Sequence, residues 1–215
     1  MKFVKLANDE GSSRSARSPE THGRLITATI DVVFEHGYAG ATMAVIAERA
    51  GVTRGAIQHC FGDTRVDLIT AVCADILERR QRQYLSAMTE FSQADFSIAR
   101  AGIKAAYRDP ATWFLVEVWI ASKSDAILKE RVDAYLTSEH YLADESLERM
   151  LGTTESGAIG FREYKYFMRA LTRGLALEYS RRPDPELFDR VVDLVIDALS
   201  FYLDRVKNGN LDRSE

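Results

Sequence analysis

Between Pro19 and Pro110 the chain runs without a proline, and no part of that stretch alternates apolar and polar residues as a strand would. A segment lacking both the helix breaker and the strand period is constrained to helices and short turns. Ile26, Ile30, Val33 and Phe34 recur at helical spacing, and His36-Gly37 supplies a glycine stop after them. Thr42 stands where a cap belongs, ahead of Val45, Ile46, Ala47 and Ala50. Val52 and Ile57 follow, spaced to fold back onto the same small core. After the Phe61-Gly62-Asp63 turn a long helix is expected from Thr64. Leu68, Val72, Ile76 and Leu77 mark its inner face, and Glu78-Arg79-Arg80-Gln81-Arg82 its solvated middle.

The same reading carries on to the C-terminus. Five further helices are expected near 95–108, 110–123, 125–151, 160–182 and 185–207, with Gly152–Gly160 as the clearest loop. Asp109-Pro110 and Asp184-Pro185 share one form, a capping carboxylate followed by proline in the first turn. The fold class is therefore all-α. A disordered arm is expected over 1–19, a three-helix head over 20–66 and a six-helix body over 67–210. Arg14 and Arg17 of the arm are candidates to follow phosphates or a minor groove.

At 215 residues the chain is long enough for one or two domains with a proper core. No apolar run approaches a membrane span, and the N-terminus lacks the apolar centre of a secretory signal, so a cytoplasmic protein is expected. Cys60 and Cys73 have no companion spacing for a disulfide or a metal, and a redox role for either is left open. His22, His36, His59 and His140 are scattered, without a nucleophile or metal partner at useful spacing. No phosphate-cradling glycine loop appears. Neither an enzyme nor a cofactor or metal site is indicated.

The stretch from about 42 to 61 carries the chemistry. Two short helices hinge at Gly51, where glycine accepts the left-handed backbone of a tight turn. That is the outline of a helix-turn-helix, whose second helix enters the major groove of DNA. Thr53 can cap this helix and leave free N–H groups for a phosphate. Gly55 and Ala56 keep it slim, Arg54 suits a guanine edge or a phosphate, and Gln58 suits adenine. Thr42 is placed for a flanking phosphate. His59 is open between a DNA contact and a packing role.

Three runs, Arg24 to Tyr38, Thr42 to Val52 and Gly55 to Phe61, strongly resemble the head of the TetR family of transcriptional regulators. The likeness extends over roughly residues 20–75. It implies a homodimer, each subunit having three DNA-binding helices and a helical regulatory body that senses a small molecule. The family's base and phosphate contacts fall on Thr42, Thr53, Arg54, Gly55, Gln58 and His59. Two departures stand out. His59-Cys60 replaces the aromatic pair many members carry, and the lysine expected at the start of the fourth helix is missing, leaving Arg65 as the better phosphate candidate.

Charge sharpens the expectation. Residues 1–66 hold eight Lys/Arg against seven Asp/Glu, and residues 67–215 hold 20 against 25. A head so nearly neutral must bind through a few well-placed cations and by pairing two heads on a palindromic operator. A helical interaction module that has lost DNA binding is the alternative reading, with an enzyme behind it.

Two surfaces of the body are expected to matter. On a helical wheel the last helix is apolar over more than half its circumference, which exceeds what one-sided packing needs. The surplus points to a four-helix dimer interface of Phe167, Leu171, Gly174 and Leu175 with Val191, Leu194, Val195, Ala198 and Tyr202. For a ligand, Ala111 to Ala121 is apolar all round except for Glu117, so it should be buried. A buried carboxylate needs a partner, either an internal arginine, the favoured reading, or a ligand. Trp113 and Glu117, with Tyr84, Tyr107, Tyr141 and Tyr164, are the candidate pocket residues for an unknown small-molecule effector. No membrane partner is expected.

Overall fold

The computed structural model of the chain describes residues 10–90, 96–136 and 161–207, and every element among them is a helix. In chain order these are α1 (Glu10–Gly40), α2 (Met43–Ala50), α3 (Arg54–Phe61), α4 (Arg65–Glu90) and α5 (Phe96–Arg108). They are followed by α6 (Pro110–Ser122), α7 (Ala126–Leu136), α8 (Phe161–Arg181) and α9 (Pro185–Lys207). The expected helix over 125–151 is met by α7, and its remainder lies outside the described residues, as does the Gly152–Gly160 loop. Among the described residues no helix is long and apolar enough to cross a membrane.

One boundary differs from expectation. α1 begins at Glu10 and runs through Pro19, inside the segment read as a disordered arm. Glycine, serine and proline content weighs each residue's own preference. A helix already nucleated by the fully buried Leu25 and Ile26 extends without a second nucleation step. At its other end α1 breaks where the sequence placed the stop, since Gly37 has φ 68 and ψ 172.

The buried core does not divide between head and body. One cluster joins Leu25, Ile26, Val32 and Val33 of α1 to Ile46 of α2, Ile57 of α3, and Leu68 and Val72 of α4. It continues without interruption into Phe114, Leu115 and Val118 of α6 and Leu128 and Val132 of α7. Each of these large side chains contributes roughly 1.5–3 kcal/mol on removal from water. A rearrangement of α6 therefore acts on the head through direct packing.

A second cluster binds α5 to α8 and α9 through Ile103, Tyr107, Leu175, Phe188, Val192 and Ile196. Its edge carries ion pairs from Arg100 to Asp193 (2.8 Å) and Asp197 (2.6 Å), and from Lys104 to Asp193 (2.7 Å). Being largely exposed, they fix the register of α5 on α9 more than they stabilise it. The two Asp-Pro pairs behave as their form suggests: Asp109 accepts from Ala111 N at 2.9 Å and Asp184 from Leu187 N at 3.0 Å.

The candidate nucleic-acid interface

Both short helices of the head are capped by threonine. Thr42 Oγ1 accepts the N–H of Val45 at 3.3 Å, and Thr53 Oγ1 that of Ala56 at 3.2 Å. Between them Gly51 takes the left-handed conformation (φ 62, ψ 40), and its N–H turns back to the carbonyls of Ala47 and Glu48. Ile57, fully buried, pins α3 to the core, with Cys60 and Phe61 packed against it at the helix end. Helical geometry then sends Gly55 and His59 to the opposite side and leaves Arg54 and Gln58 flanking Ile57, and all four are exposed, as are Thr42 and Thr53. Six of the seven residues expected to meet DNA are thus open to solvent. His59 is among them, so packing does not explain that side chain.

Arg54 occupies the first turn of α3, which contains no acidic residue. A cation there opposes the helix dipole by a few tenths of a kcal/mol. The unfavourable placement is offset when an anion faces the same N–H groups.

The other arginines of the folded head are engaged with partners of the protein's own. Arg24 reaches across 26 residues to donate to the carbonyls of Ala50 and Gly51, closing the C-terminus of α2. Arg49 forms a two-pronged pair with Glu35 at 2.9 and 2.5 Å, which clamps α2 to α1 and holds the Glu35 carboxyl below its ordinary range. Arg65, expected to meet a phosphate, is a correction. It donates to the Tyr38 carbonyl at 3.2 Å, and its guanidinium lies over the Tyr38 ring at 4.2 Å. That stacking draws the charge inward. Among the described residues, Arg54 is the arginine of the head without an internal partner. Residues 19–66 hold four arginines against five acidic residues, and the other four cations, Lys2, Lys5, Arg14 and Arg17, precede Pro19.

The start of α4 is built by Thr64 and Asp67. Thr64 Oγ1 donates to Asp67 Oδ2 at 2.7 Å and accepts from Asp67 N at 3.1 Å, a reciprocal cap. The hydrogen bond from Thr64 is the main reason the Asp67 carboxyl lies below its usual range, and Arg131 of α7 adds to it at 2.7 Å.

Glu117 is half-buried, and among the described residues its carboxylate pairs with no arginine. Its Oε2 accepts the backbone N–H of Tyr38 at 3.3 Å, which ties α6 to the end of α1 and corrects the salt bridge expected for it. Tyr107, expected at a pocket, is buried in the second core. Its hydroxyl donates to Asp189 at 2.9 Å and accepts from Arg108 Nε at 3.0 Å, while burial pushes its pKa up. Trp113 is half-buried one turn before Glu117. Tyr141 lies outside the described residues, and so do the side chains of Tyr84 and Tyr164. Trp119 and Ile120 are exposed on a helix expected to be buried all round. Periodicity cannot show where a uniformly apolar helix meets the surface.

Of the expected dimer residues, Phe167, Gly174, Leu194, Ala198 and Tyr202 are exposed, with Leu194 at 70%. Leu171, Val191 and Val195 are half-buried. Leu175 is the correction, since at 7% exposure it belongs to the protomer's own second core, against α5. Leu177, Leu187 and Phe201 are further exposed apolar residues, beside the set expected at the interface. Cys73 is buried and its thiol is pushed up to about 12 by desolvation, which leaves it inert as a nucleophile.

A capped, slim second helix carrying arginine, glutamine and histidine outward across a glycine turn defines a helix-turn-helix DNA-binding protein. Residues 25–72 match the family described as bacterial regulatory proteins, tetR family. Over 190 residues the chain is 25% identical to an HTH-type transcriptional regulator of Mycobacterium bovis, covering 87% of this chain and 97% of that one. The regulator CymR of Pseudomonas putida is 25% identical over 181 residues, covering 83% and 89%. A crystal structure of a transcriptional regulator from Pseudomonas aeruginosa shares the fold, with a TM-score of 0.61, 23% identity and coverage of 88% and 94%. The head of the chain thus matches the tetR family of bacterial regulatory proteins, and the relatives that match over most of its length are HTH-type transcriptional regulators.

Proposed function

We propose that this regulator is a repressor that binds a palindromic operator as a homodimer and is released by a small molecule. The observation that carries the reading is the apolar surface of α8 and α9. Leu187, Leu194 and Phe201 recur every seven residues along α9, each exposed, and Phe167, Gly174 and Leu177 lie exposed on α8. An apolar stripe of that extent favours burial against a second copy through a self-complementary, two-fold interface. Pairing two heads also answers the weak charge of each, because two recognition helices reading half-sites one DNA turn apart double the phosphate contacts.

Release follows from linkage. A ligand that binds better to a conformer with displaced recognition helices lowers DNA affinity by that difference and no more. Trp113, half-buried one helical turn from Glu117, supports a sensing site beside α6. The chain acts in the cytoplasm as a binding protein and not as an enzyme. The test is selection of a duplex from a random pool, followed by affinity against salt and by gel filtration. A palindromic selected site, a steep fall of log affinity with log salt and a dimer at micromolar concentration are expected. A monomer bound to a non-palindromic site overturns the proposal.

A further inference from the structure

We propose that Glu117 is a positioning residue for DNA reading, holding the angle of the head on the body through the backbone of Tyr38. This rests on the DNA-binding reading of the head and adds to it the point at which the body grips the head.

Gly37, at φ 68 and ψ 172, turns the chain out of the helical ladder of α1. The N–H that follows, on Tyr38, is taken by Glu117 Oε2 of α6 at 3.3 Å. The carbonyl of the same residue accepts Arg65 Nη1 from the start of α4 at 3.2 Å, and the Tyr38 ring lies beneath that guanidinium. One nearly buried residue is thus held by α6 of the body and by the first turn of α4, through its donor, its acceptor and its ring. Among the described residues its buried hydroxyl has no hydrogen-bond partner, and the ring is held by the stacked guanidinium of Arg65.

What Tyr38 controls is next in sequence. Ala41 N donates to the Tyr38 carbonyl at 3.3 Å, and Thr42 N to the Gly40 carbonyl at 2.9 Å. This tight turn places Thr42, the cap of α2 and one of the six exposed residues expected to meet DNA. The path from Glu117 to Thr42 is one hydrogen bond and four residues of ordered backbone. α1 also lies along α6 over a longer front than along α4. Shifts of 1–2 Å in a packed helix are the usual scale of such transitions. A shift of that size in α6 breaks or drags a bond that is already 3.3 Å long.

The experiment uses the full chain and the duplex that the wild type selects from a random pool. Affinity is measured on that palindrome and on versions with the half-site spacing changed by one base pair in either direction, beside thermal unfolding of each variant. Glu117→Leu removes the acceptor. It is expected to weaken binding at the native spacing on the order of 10-fold and to flatten the preference for that spacing. Glu117→Gln keeps a weaker, neutral acceptor and is expected to lose about threefold in the same pattern. It serves alone if the leucine variant does not fold. Equal weakening at all three spacings, with a lowered unfolding temperature, means a merely structural residue and overturns the proposal, as does full spacing preference in both variants. A wild type that selects no duplex overturns the DNA reading itself, before any variant is made.

Discussion

Gly51→Ala tests whether the turn between the two short helices is held in the way described. Gly51 lies at φ 62, ψ 40, where an L side chain costs about 1–2 kcal/mol. A Cβ built there stands 2.9 Å from Arg24 Nη2, too close to tolerate, so the guanidinium must leave the carbonyls of Ala50 and Gly51. Because Arg24 is exposed, losing those bonds adds only about 1 kcal/mol. Gly51→Ala should therefore destabilise by about 2–3 kcal/mol and Arg24→Ala by about 1 kcal/mol. In the double variant the new methyl has nothing left to displace. It should resemble Gly51→Ala alone, with a coupling of about 1 kcal/mol. Urea unfolding of the four proteins at constant m-value measures this cycle. Additive losses, within about 0.5 kcal/mol, would refute the claim that Arg24 closes this turn.

Three further outcomes are expected. Arg54→Ala and Gln58→Ala should each reduce operator affinity by about 1–3 kcal/mol while leaving unfolding and dimerisation unchanged, because both side chains are exposed; wild-type affinity in both, by fluorescence anisotropy, rules out α3 as the reading helix. Leu194→Glu should yield a folded monomer by sedimentation, since the residue is 70% exposed in the protomer and a charge there is tolerated only without a partner; a persisting dimer places the interface elsewhere. Burial holds the Cys73 thiol protonated up to about 12, from an ordinary value of 9.0. Between these pH values the unfolded chain releases a proton that the folded chain keeps, so stability falls as pH rises, by about 1.4 kcal/mol per unit. Comparing wild type with Cys73→Ala from pH 8 to pH 10 isolates that slope, and parallel curves would mean that Cys73 is not desolvated.

The parts of the reading surface that were legible in the sequence are those made by local chemistry. Thr42 and Thr53 cap the helices that immediately follow them, Gly51 supplies its own positive φ, and helical period alone sets Gly55 and His59 opposite the buried Ile57. The Thr64–Asp67 cap has the same character and could have been read from its spacing of three. Arg65 was misplaced because its partner, Tyr38, lies 27 residues away. No rule of spacing links an arginine to a carbonyl so distant.

All-α architecture, the order of the helices and the outward face of α3 follow from the sequence by itself, because each depends on residues within a turn or two of one another. Tertiary structure decided the rest. It directed Glu117 to a backbone N–H 79 residues away, tied three of the head's four arginines to partners within the protein, and joined head and body in one core. It also sorted the two-sided helices, taking Leu175 inward and leaving Leu194 and Phe201 outside. The physical reason is common to all of these. Hydrophobic period says that a face is buried but not against what, and a polar group finds its partner only after the helices have packed.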